Sequence, residues 1–254
     1  MKRNIIIHYH LFKNAGTSID NILKSSFGSR WQNWDKPEAH GVKIFAEELA
    51  GFICNNPHLK AISSHQALMP LPVGDFQVFP IFFLRHPILR AKSAWKFEWH
   101  IQNPKLDGDS SFKAYLDFRF QNTPGVICNF QNTRLSNVQY TTTSENIRQP
   151  GPFERLELAK TCIDSTPYFG IVEHMHTSLE RLHYFLKAAF PEIRVINARI
   201  NSSIDKASSI QDALSTILEE IGQEHFDELM ERNKQDLELY QYATDRFFSI
   251  IPKK

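Results

Sequence analysis

The chain has few cysteines, no long apolar run and no excess of charge of either sign. Its three cysteines, Cys54, Cys128 and Cys162, are widely spaced and form no CxxC pair, which favours reduced thiols over a disulfide framework. No apolar run approaches the roughly 20 residues of a membrane-spanning helix. The basic start MKR leads only into a short strand pattern, so we expect a cytoplasmic protein without a membrane anchor. A net charge of +1, without a basic block, argues against nucleic-acid binding.

Strand patterns alternate with amphipathic helix patterns along the 254 residues. This order predicts an α/β fold, with a parallel sheet flanked by helices as in P-loop NTPases, in one domain covering 1–254. Predicted strands cover 4–9, 59–64, 78–84 and 168–172, and predicted helices cover 17–27, 46–55, 87–101, 110–121, 153–164, 174–188, 210–221 and 224–248. Residues 122–151 exceed the length of an ordinary connection, which predicts a functional loop.

Residues 5–22 read IIIHYHLFKNAGTSIDNI, an apolar strand followed by a polar turn and an amphipathic helix. Gly16 permits a tight turn and close approach of a ligand, and Thr17 or Ser18 can cap the helix. The free N–H groups at the helix start favour an anion, and Lys13 adds a positive charge. The segment predicts a phosphate or sulfate site, although a plain strand–turn–helix corner has the same pattern. The Walker pattern GxxxxGK[ST] is absent, which disfavours an ordinary P-loop ATPase or GTPase.

Residues 78–97 read VFPIFFLRHPILRAKSAWKF and repeat the strand–turn–helix order. Arg85 falls at the carboxyl end of the predicted strand, where open α/β sheets bind ligands. Pro87 suits the first turn of a helix, and Ser93 lies about two turns into it. An arginine fork with a hydroxyl suits a phosphate. The alternative is an arginine that caps sheet carbonyls or pairs with a carboxylate.

The two segments resemble a known family. FKNAGTS is similar to the 5′-phosphosulfate loop of carbohydrate sulfotransferases, and LRHPILRAKSAW is similar to their 3′-phosphate motif, usually written RDPxxRxxSxY. The likeness is strongest to the heparan sulfate and chondroitin 2-O-sulfotransferase type and its bacterial relatives. AISSHQAL resembles the segment that carries the family's catalytic histidine, and NTRL, YFGIVEHMHTSLERLHYFL, NARINSS and NKQDLELYQYATDRF follow in family order. One departure is His86, which occupies the usual aspartate position and weakens the expected helix cap.

The resemblance implies in-line transfer of a sulfuryl group from 3′-phosphoadenosine 5′-phosphosulfate to a hydroxyl of a carbohydrate or other hydroxylated acceptor. Matching positions imply that the 5′-phosphosulfate is held by Lys13, Asn14, Ala15, Gly16, Thr17 and Ser18. They imply Arg85 and Ser93 for the 3′-phosphate, and Asn201, Ser202 and Ser203 for a loop over the nucleotide. Lys13 would also stabilise the leaving group. No metal is expected, because lysine and main-chain amides supply the positive field.

His65 is the candidate general base. It follows the apolar segment LKAISS, so it should emerge at the carboxyl edge of the sheet beside both anion segments. An alcohol becomes a good nucleophile once its proton is removed, and an imidazole suits that role near neutral pH. The alternative is a structural histidine. Two other functions stay open at this point, a nucleotide-dependent kinase with a degenerate P-loop and a non-catalytic nucleotide-binding pseudoenzyme.

The acceptor is predicted from charge and from aromatic residues. Enzymes of long polyanions benefit from a broadly basic surface, so a net charge of +1 favours a neutral or lightly charged glycan or metabolite. The predicted acceptor wall consists of 122–151 together with Trp95, Phe97, Trp99 and His100. The histidine pairs His8/His10 and His174/His176 lack the spacing of a zinc site and are not expected to hold a metal. Glu173 is expected to be structural.

Overall fold

The computed structural model describes residues 2–37, 42–102, 108–136, 151–195 and 209–249. Its strands are β1 (Arg3–Tyr9), β2 (Trp31–Asn33), β3 (Ala61–Ser64), β4 (Phe76–Ile81), β5 (Phe83–Leu84) and β6 (Gly170–Ile171). Its α-helices are α1 (Gly16–Phe27), α2 (Ala46–Asn55), α3 (Pro87–Phe97), α4 (Phe112–Asn122), α5 (Phe130–Leu135), α6 (Pro152–Ser165), α7 (Met175–Leu186), α8 (Ile210–Ile221), α9 (Gln223–Arg232) and α10 (Lys234–Ser249). Within the described residues, no helix is long and apolar enough to cross a membrane.

The main sheet has four parallel strands in the order β2-β3-β1-β4. A parallel sheet flanked by helices is therefore confirmed. The predicted strand 78–84 is wrong in one respect, because it divides into β4 and β5. The carbonyl of Phe82 accepts a hydrogen bond from the N–H of Gly170, and β5 then pairs with β6 in a separate two-stranded sheet. Both sheets direct the carboxyl ends of their strands toward the loops that carry Lys13 and Arg85.

Helices cover both faces of the main sheet, and the alternation along β1 decides which side chains meet which helices. Ile5 and Ile7 pack with α2, α6 and α10, whereas Ile6 packs with α1 and α7. His8 and His10 have the same parity as Ile6 and lie on the α1 side, where they meet Asp20. A third apolar cluster joins α3, α4, α8 and α9.

Three other element predictions need correction. The predicted helix 224–248 is two helices, since Asn233 between them uses its side chain to accept from the N–H of Asn129 and to donate to the carbonyl of Leu229. Helix α3 ends at Phe97 and continues as a wider π-turn over Glu98–Gln102. The irregular stretch 122–151 contains the helix α5, whose start is capped from α10; its residues 137–150 lie outside the described part of the chain.

Candidate active site

The loop between β1 and α1 leaves main-chain N–H groups available for an anion. Lys13 and Ala15 adopt left-handed conformations, with φ of 64° and 60°. Helix α1 begins at Gly16 with no side-chain cap, so the predicted cap by Thr17 or Ser18 is wrong. Within the described chain, the N–H groups of Ala15, Gly16 and Thr17 make no hydrogen bond. Such a turn at a helix start is a concave anion site.

The backbone of Gly16 is helical, so its conformation does not require glycine. A neighbouring side chain does. A Cβ atom at this position would lie 2.0 Å from ring atoms of His10. The imidazole of His10 therefore packs directly against the start of α1, and only glycine leaves room for it.

The side chain of Arg85 reaches the loop that carries Lys13. Nη1 of Arg85 donates to the carbonyl of Lys13 at 3.2 Å. Burial, followed by the charge of Arg85, lowers the pKa of Lys13. The ammonium of Lys13 lies 4.3 Å from the ring centre of Phe97, one of the aromatic residues predicted for the acceptor wall. Two cations that repel one another at the edge of a sheet favour the binding of an anion between them.

Behind Arg85 lies a buried carboxylate, Glu173. Its Oε1 is 3.9 Å from Nε of Arg85 and accepts from the N–H of His86, and its Oε2 accepts from the hydroxyl of Tyr240. Burial raises the pKa of Glu173, and the charge of Arg85 opposes that rise. These contacts agree with the structural role expected for Glu173. His86 occupies the N-cap position of α3, but its side chain makes no capping hydrogen bond. Burial lowers the pKa of His86 to about 4.

His65 follows β3 and is oriented by a carboxylate from the loop after β2. Its Nδ1 lies 2.9 Å from Oδ2 of Asp35. Oδ1 of Asp35 accepts from the hydroxyl of Ser64 and from the N–H groups of His65 and Gln66. Although burial opposes it, the bonds from His65 and Ser64 hold the pKa of Asp35 at about 2. An ionised carboxylate only accepts, so Nδ1 of His65 carries the hydrogen of this bond and Nε2 is the ring nitrogen that does not face Asp35.

A second pair of groups fixes His65 from behind. The ring of His65 stacks on that of His10 with the centres 3.9 Å apart. The guanidinium of Arg134 donates to the carbonyls of His65 and Ala67. Burial lowers the pKa of Arg134 to about 10, which leaves it charged beside Asp35. His65 is thus linked through His10 to Gly16, and so to the anion loop.

His8, His10 and Asp20 form a hydrogen-bonded triad under α1. The two Nδ1 atoms lie 2.8 and 3.0 Å from the carboxylate oxygens of Asp20. Although burial opposes it, the bonds from His10 and His8 hold the pKa of Asp20 well below its usual range. Burial lowers the pKa of His10 to about 4, so this ring is neutral near pH 7. Their potential ligand atoms lie within 4.8 Å of one another, but in this arrangement the three groups satisfy each other.

A cavity of about 520 Å³ opens beside His65. Its walls come from the loops after β2 and β3 and from α5, with the lining residues Asp35, Lys36, Pro37, Val42, Lys43, His65, Gln66 and Arg134. Of the described residues of the predicted acceptor wall, Arg134 in the stretch 122–151 lines it, whereas Trp95, Phe97, Trp99 and His100 do not. Trp95 and Trp99 instead pack against α4, through Phe112 and Tyr115.

The remaining predicted donor contacts are less direct. The side-chain nitrogen of Asn14 is engaged inside the fold, where it donates to the carbonyl of Phe83 and to Oε1 of Gln131. Ser93 is half-buried on α3, and no hydrogen bond joins it to Arg85 among the described contacts. Asn201, Ser202 and Ser203 lie outside the described residues.

Asp35, Arg134 and Gln131 are the site residues that sequence reasoning missed. Asp35 lies 30 positions from His65, and Arg134 lies 69 positions from it. Only the segment NTRL, noted for its place in the family order, drew attention to the chain around Arg134. Sequence alone carried no local signal for Asp35 or for Gln131.

The fold is an α/β protein in which two strand–loop–helix corners place Lys13 and Arg85 at the carboxyl ends of parallel strands. Residues 1–243 match the family model described as "Sulfotransferase family", and the chain belongs to this family. An uncharacterized protein of Archaeoglobus fulgidus is 28% identical to it over 261 residues, which cover 97% of this chain and 98% of that protein.

The link between Asp35 and His65 predicts a specific acid sensitivity. The pKa of Asp35 falls from 3.8 to about 2 on folding, so its contribution to the free energy of unfolding is present above about pH 4 and is lost as the pH falls toward about 2. We expect the stability advantage of the wild type over Asp35→Asn to shrink across that range, as measured by urea unfolding. The exposed Asp245→Asn variant is the control. An advantage that does not change with pH would contradict the ionised contact.

Proposed function

We propose that this chain transfers a sulfuryl group from 3′-phosphoadenosine 5′-phosphosulfate to a hydroxyl of a carbohydrate or other hydroxylated acceptor. Membership of the sulfotransferase family supports sulfuryl transfer in general. The observation that carries the finer proposal is the contact of Arg85 with Lys13, because it joins the two predicted phosphate corners at one edge of the fold. The resemblance to 2-O-sulfotransferases favours a carbohydrate acceptor.

In this proposal the anion loop holds the 5′-phosphosulfate. The N–H groups of Ala15, Gly16 and Thr17 bind its oxygens, and the ammonium of Lys13 lies over them. Arg85, held by Glu173, binds the 3′-phosphate with Ser93. Asn201, Ser202 and Ser203 are proposed to cover the nucleotide, as the family resemblance implies.

The acceptor enters the cavity beside His65. Nε2 of His65 removes the proton of the acceptor hydroxyl as its oxygen bonds to sulfur. The bond between sulfur and the bridging oxygen of the 5′-phosphate breaks, and Lys13 stabilises the charge that develops on that oxygen. Asp35 stabilises the imidazolium, as the carboxylate of a catalytic triad does. The products are the sulfated acceptor and adenosine 3′,5′-bisphosphate.

Calorimetry tests the donor assignment. We expect the chain to bind adenosine 3′,5′-bisphosphate without magnesium, and to bind magnesium–ATP more weakly. A preference for magnesium–ATP would instead support a kinase. Binding of the bisphosphate, without transfer from the donor to any member of a panel of hydroxylated acceptors, would support a pseudoenzyme.

Arg85→Ala is expected to weaken the binding of adenosine 3′,5′-bisphosphate. Loss of a charge-assisted hydrogen bond costs about 1.5–3 kcal/mol, which corresponds to about 10- to 150-fold in Kd. kcat should change less, because the 3′-phosphate is remote from the reacting sulfur. The control is Arg30→Ala, which removes an arginine paired with Glu192 at the surface. A Kd close to that of the wild type would exclude Arg85 from the 3′-phosphate site.

A further inference from the structure

The side-chain amide of Gln131, at the start of α5, lies between the two phosphate corners. Its Oε1 accepts from the side-chain nitrogen of Asn14 at 2.7 Å and from the main-chain N–H of Arg85 at 2.9 Å. Its Nε2 donates to the carbonyl of Arg85 at 2.8 Å. One amide therefore bonds to the Lys13 loop on one side and to the Arg85 segment on the other.

Gln131 is itself held from α10. The N–H groups of Gln131 and Asn132 donate to the two carboxylate oxygens of Asp236, at 3.0 and 2.7 Å. The N–H of Asp236 in turn donates to the side-chain oxygen of Asn129. Gln131 is 1% exposed and Asp236 is fully buried. Water cannot easily replace a bond lost from such a network, so each of these bonds is costly to remove.

The side chain of Gln131 bonds to residues that are distant from it in sequence and adjacent to the proposed donor-binding groups. Asn14 lies 117 positions away and Arg85 lies 46 positions away, and both directly adjoin the groups proposed to bind the donor. Asn14 has a further bond of its own to the carbonyl of Phe83, in the strand that leads to Arg85. The contact of Arg85 with the carbonyl of Lys13 is part-buried, whereas the bond between Asn14 and Gln131 is buried and sets the same spacing from the interior.

We propose that Gln131 is a positioning residue that fixes the separation of the two phosphate corners, so that one doubly anionic nucleotide bridges them. This inference rests on the function proposed above and adds to it a residue that touches neither phosphate. A ligand with two anionic ends gains affinity from both corners only when their spacing matches its own. A ligand with one phosphate uses a single corner and is insensitive to that spacing.

The test compares three nucleotides on the full chain. Gln131→Met keeps the size of the side chain and removes its three hydrogen bonds. By calorimetry we expect the Kd of adenosine 3′,5′-bisphosphate to rise by about tenfold or more. The Kd values of adenosine 3′-monophosphate and adenosine 5′-monophosphate should each change by less than about threefold. The matched control, Gln241→Met, removes an exposed glutamine of α10 that bonds to Asp245, and it should change none of the three.

A second variant approaches the same contact from the other loop. Asn14→Leu removes the bonds to Gln131 and Phe83, and it should reproduce the selective loss of the bisphosphate. Because both residues act through one contact, the double variant should be less impaired than the sum of the two single effects. This pair of results keeps the inference testable if one of the variants does not fold.

Two results would overturn the role of Gln131. One is an equal loss for all three nucleotides, which would indicate local damage to a corner. The other is unchanged affinity for the bisphosphate in a folded variant. A wild-type chain that binds none of the three nucleotides would instead contradict the proposed function, so the two failures are distinguishable.

Discussion

His65→Ala should lower kcat by about 10²–10⁴-fold, the usual contribution of a general base. The ring is in place for this role, because Asp35 holds Nδ1 and the stack on His10 holds its plane. The affinity for adenosine 3′,5′-bisphosphate should stay within about threefold, since no donor phosphate is proposed to contact His65. Transfer of sulfate to a hydroxylated acceptor and calorimetric binding of the bisphosphate measure the two quantities separately.

The matched control is His176→Ala, which removes an exposed histidine paired with Glu180 at the surface. It should leave both quantities unchanged. A loss of bisphosphate affinity in His65→Ala as large as the loss of kcat would show that His65 supports the donor site. Normal turnover in a folded His65→Ala variant would exclude it as the base.

Much of the fold could be predicted because its signals are local. The predicted bounds of α2 and α8 agree with the structure, since both helices follow a regular apolar period that ends in a polar turn. Both corner segments were recognised for a related reason. A buried strand, a short turn and an amphipathic helix lie within about 25 residues of one another, so the neighbouring sequence carries most of their conformation.

The parts that could not be predicted depend on contacts between distant residues. Asp35 accepts a local hydrogen bond from the side chain of Asn33. Nothing around it in sequence indicates that it also accepts four bonds from the end of β3 and the turn after it, which come from the Ser64 hydroxyl, the N–H groups of His65 and Gln66, and the ring of His65. Gln131 lies in a stretch that appeared irregular, because the cap of α5 comes from Asp236 on another helix. Such tertiary partners override local propensity.

The conformation of the loop that carries Lys13 also depends on contacts with distant residues. Gly16 was expected to supply the unusual backbone conformation, whereas Lys13 and Ala15 adopt it and Gly16 is helical. A non-glycine residue with positive φ carries an energetic cost that the surrounding contacts must offset. Here the carbonyl of Lys13 is held by Arg85, and the side chain of the next residue, Asn14, is held by Gln131. The conformation that exposes the N–H groups is thus imposed by the second corner.

The net charge of the chain does not show how its cations are distributed. The chain carries +1 overall, yet Lys13, Arg85 and Arg134 are concentrated at one edge of the sheet. Burial and the charge of Arg85 both lower the pKa of Lys13. A dianion bound between these groups reverses the effect of proximity, because each cation is then stabilised by the ligand. Donor binding should therefore raise the pKa of Lys13 and keep it protonated.

Lys13→Ala should lower kcat and also weaken the binding of the donor. In the proposed mechanism the ammonium binds the donor's charge in the ground state, and it also stabilises the charge that develops on the bridging oxygen as the S–O bond breaks. Only an effect that is larger in the transition state changes kcat. Removal of a donor to a developing oxyanion typically costs about 10²–10³-fold in kcat. We expect a loss of that order, with a weaker Kd for adenosine 3′,5′-bisphosphate in addition.

Lys24→Ala is the matched control, because Lys24 is an exposed lysine near the end of α1, the helix that follows the loop of Lys13. It should leave kcat and the Kd unchanged. Steady-state kinetics with the donor as the varied substrate separates the two roles of Lys13. A rise in KM with normal kcat would limit Lys13 to ground-state binding, and the charge on the leaving oxygen would then have to be stabilised by the N–H groups of Ala15, Gly16 and Thr17 alone.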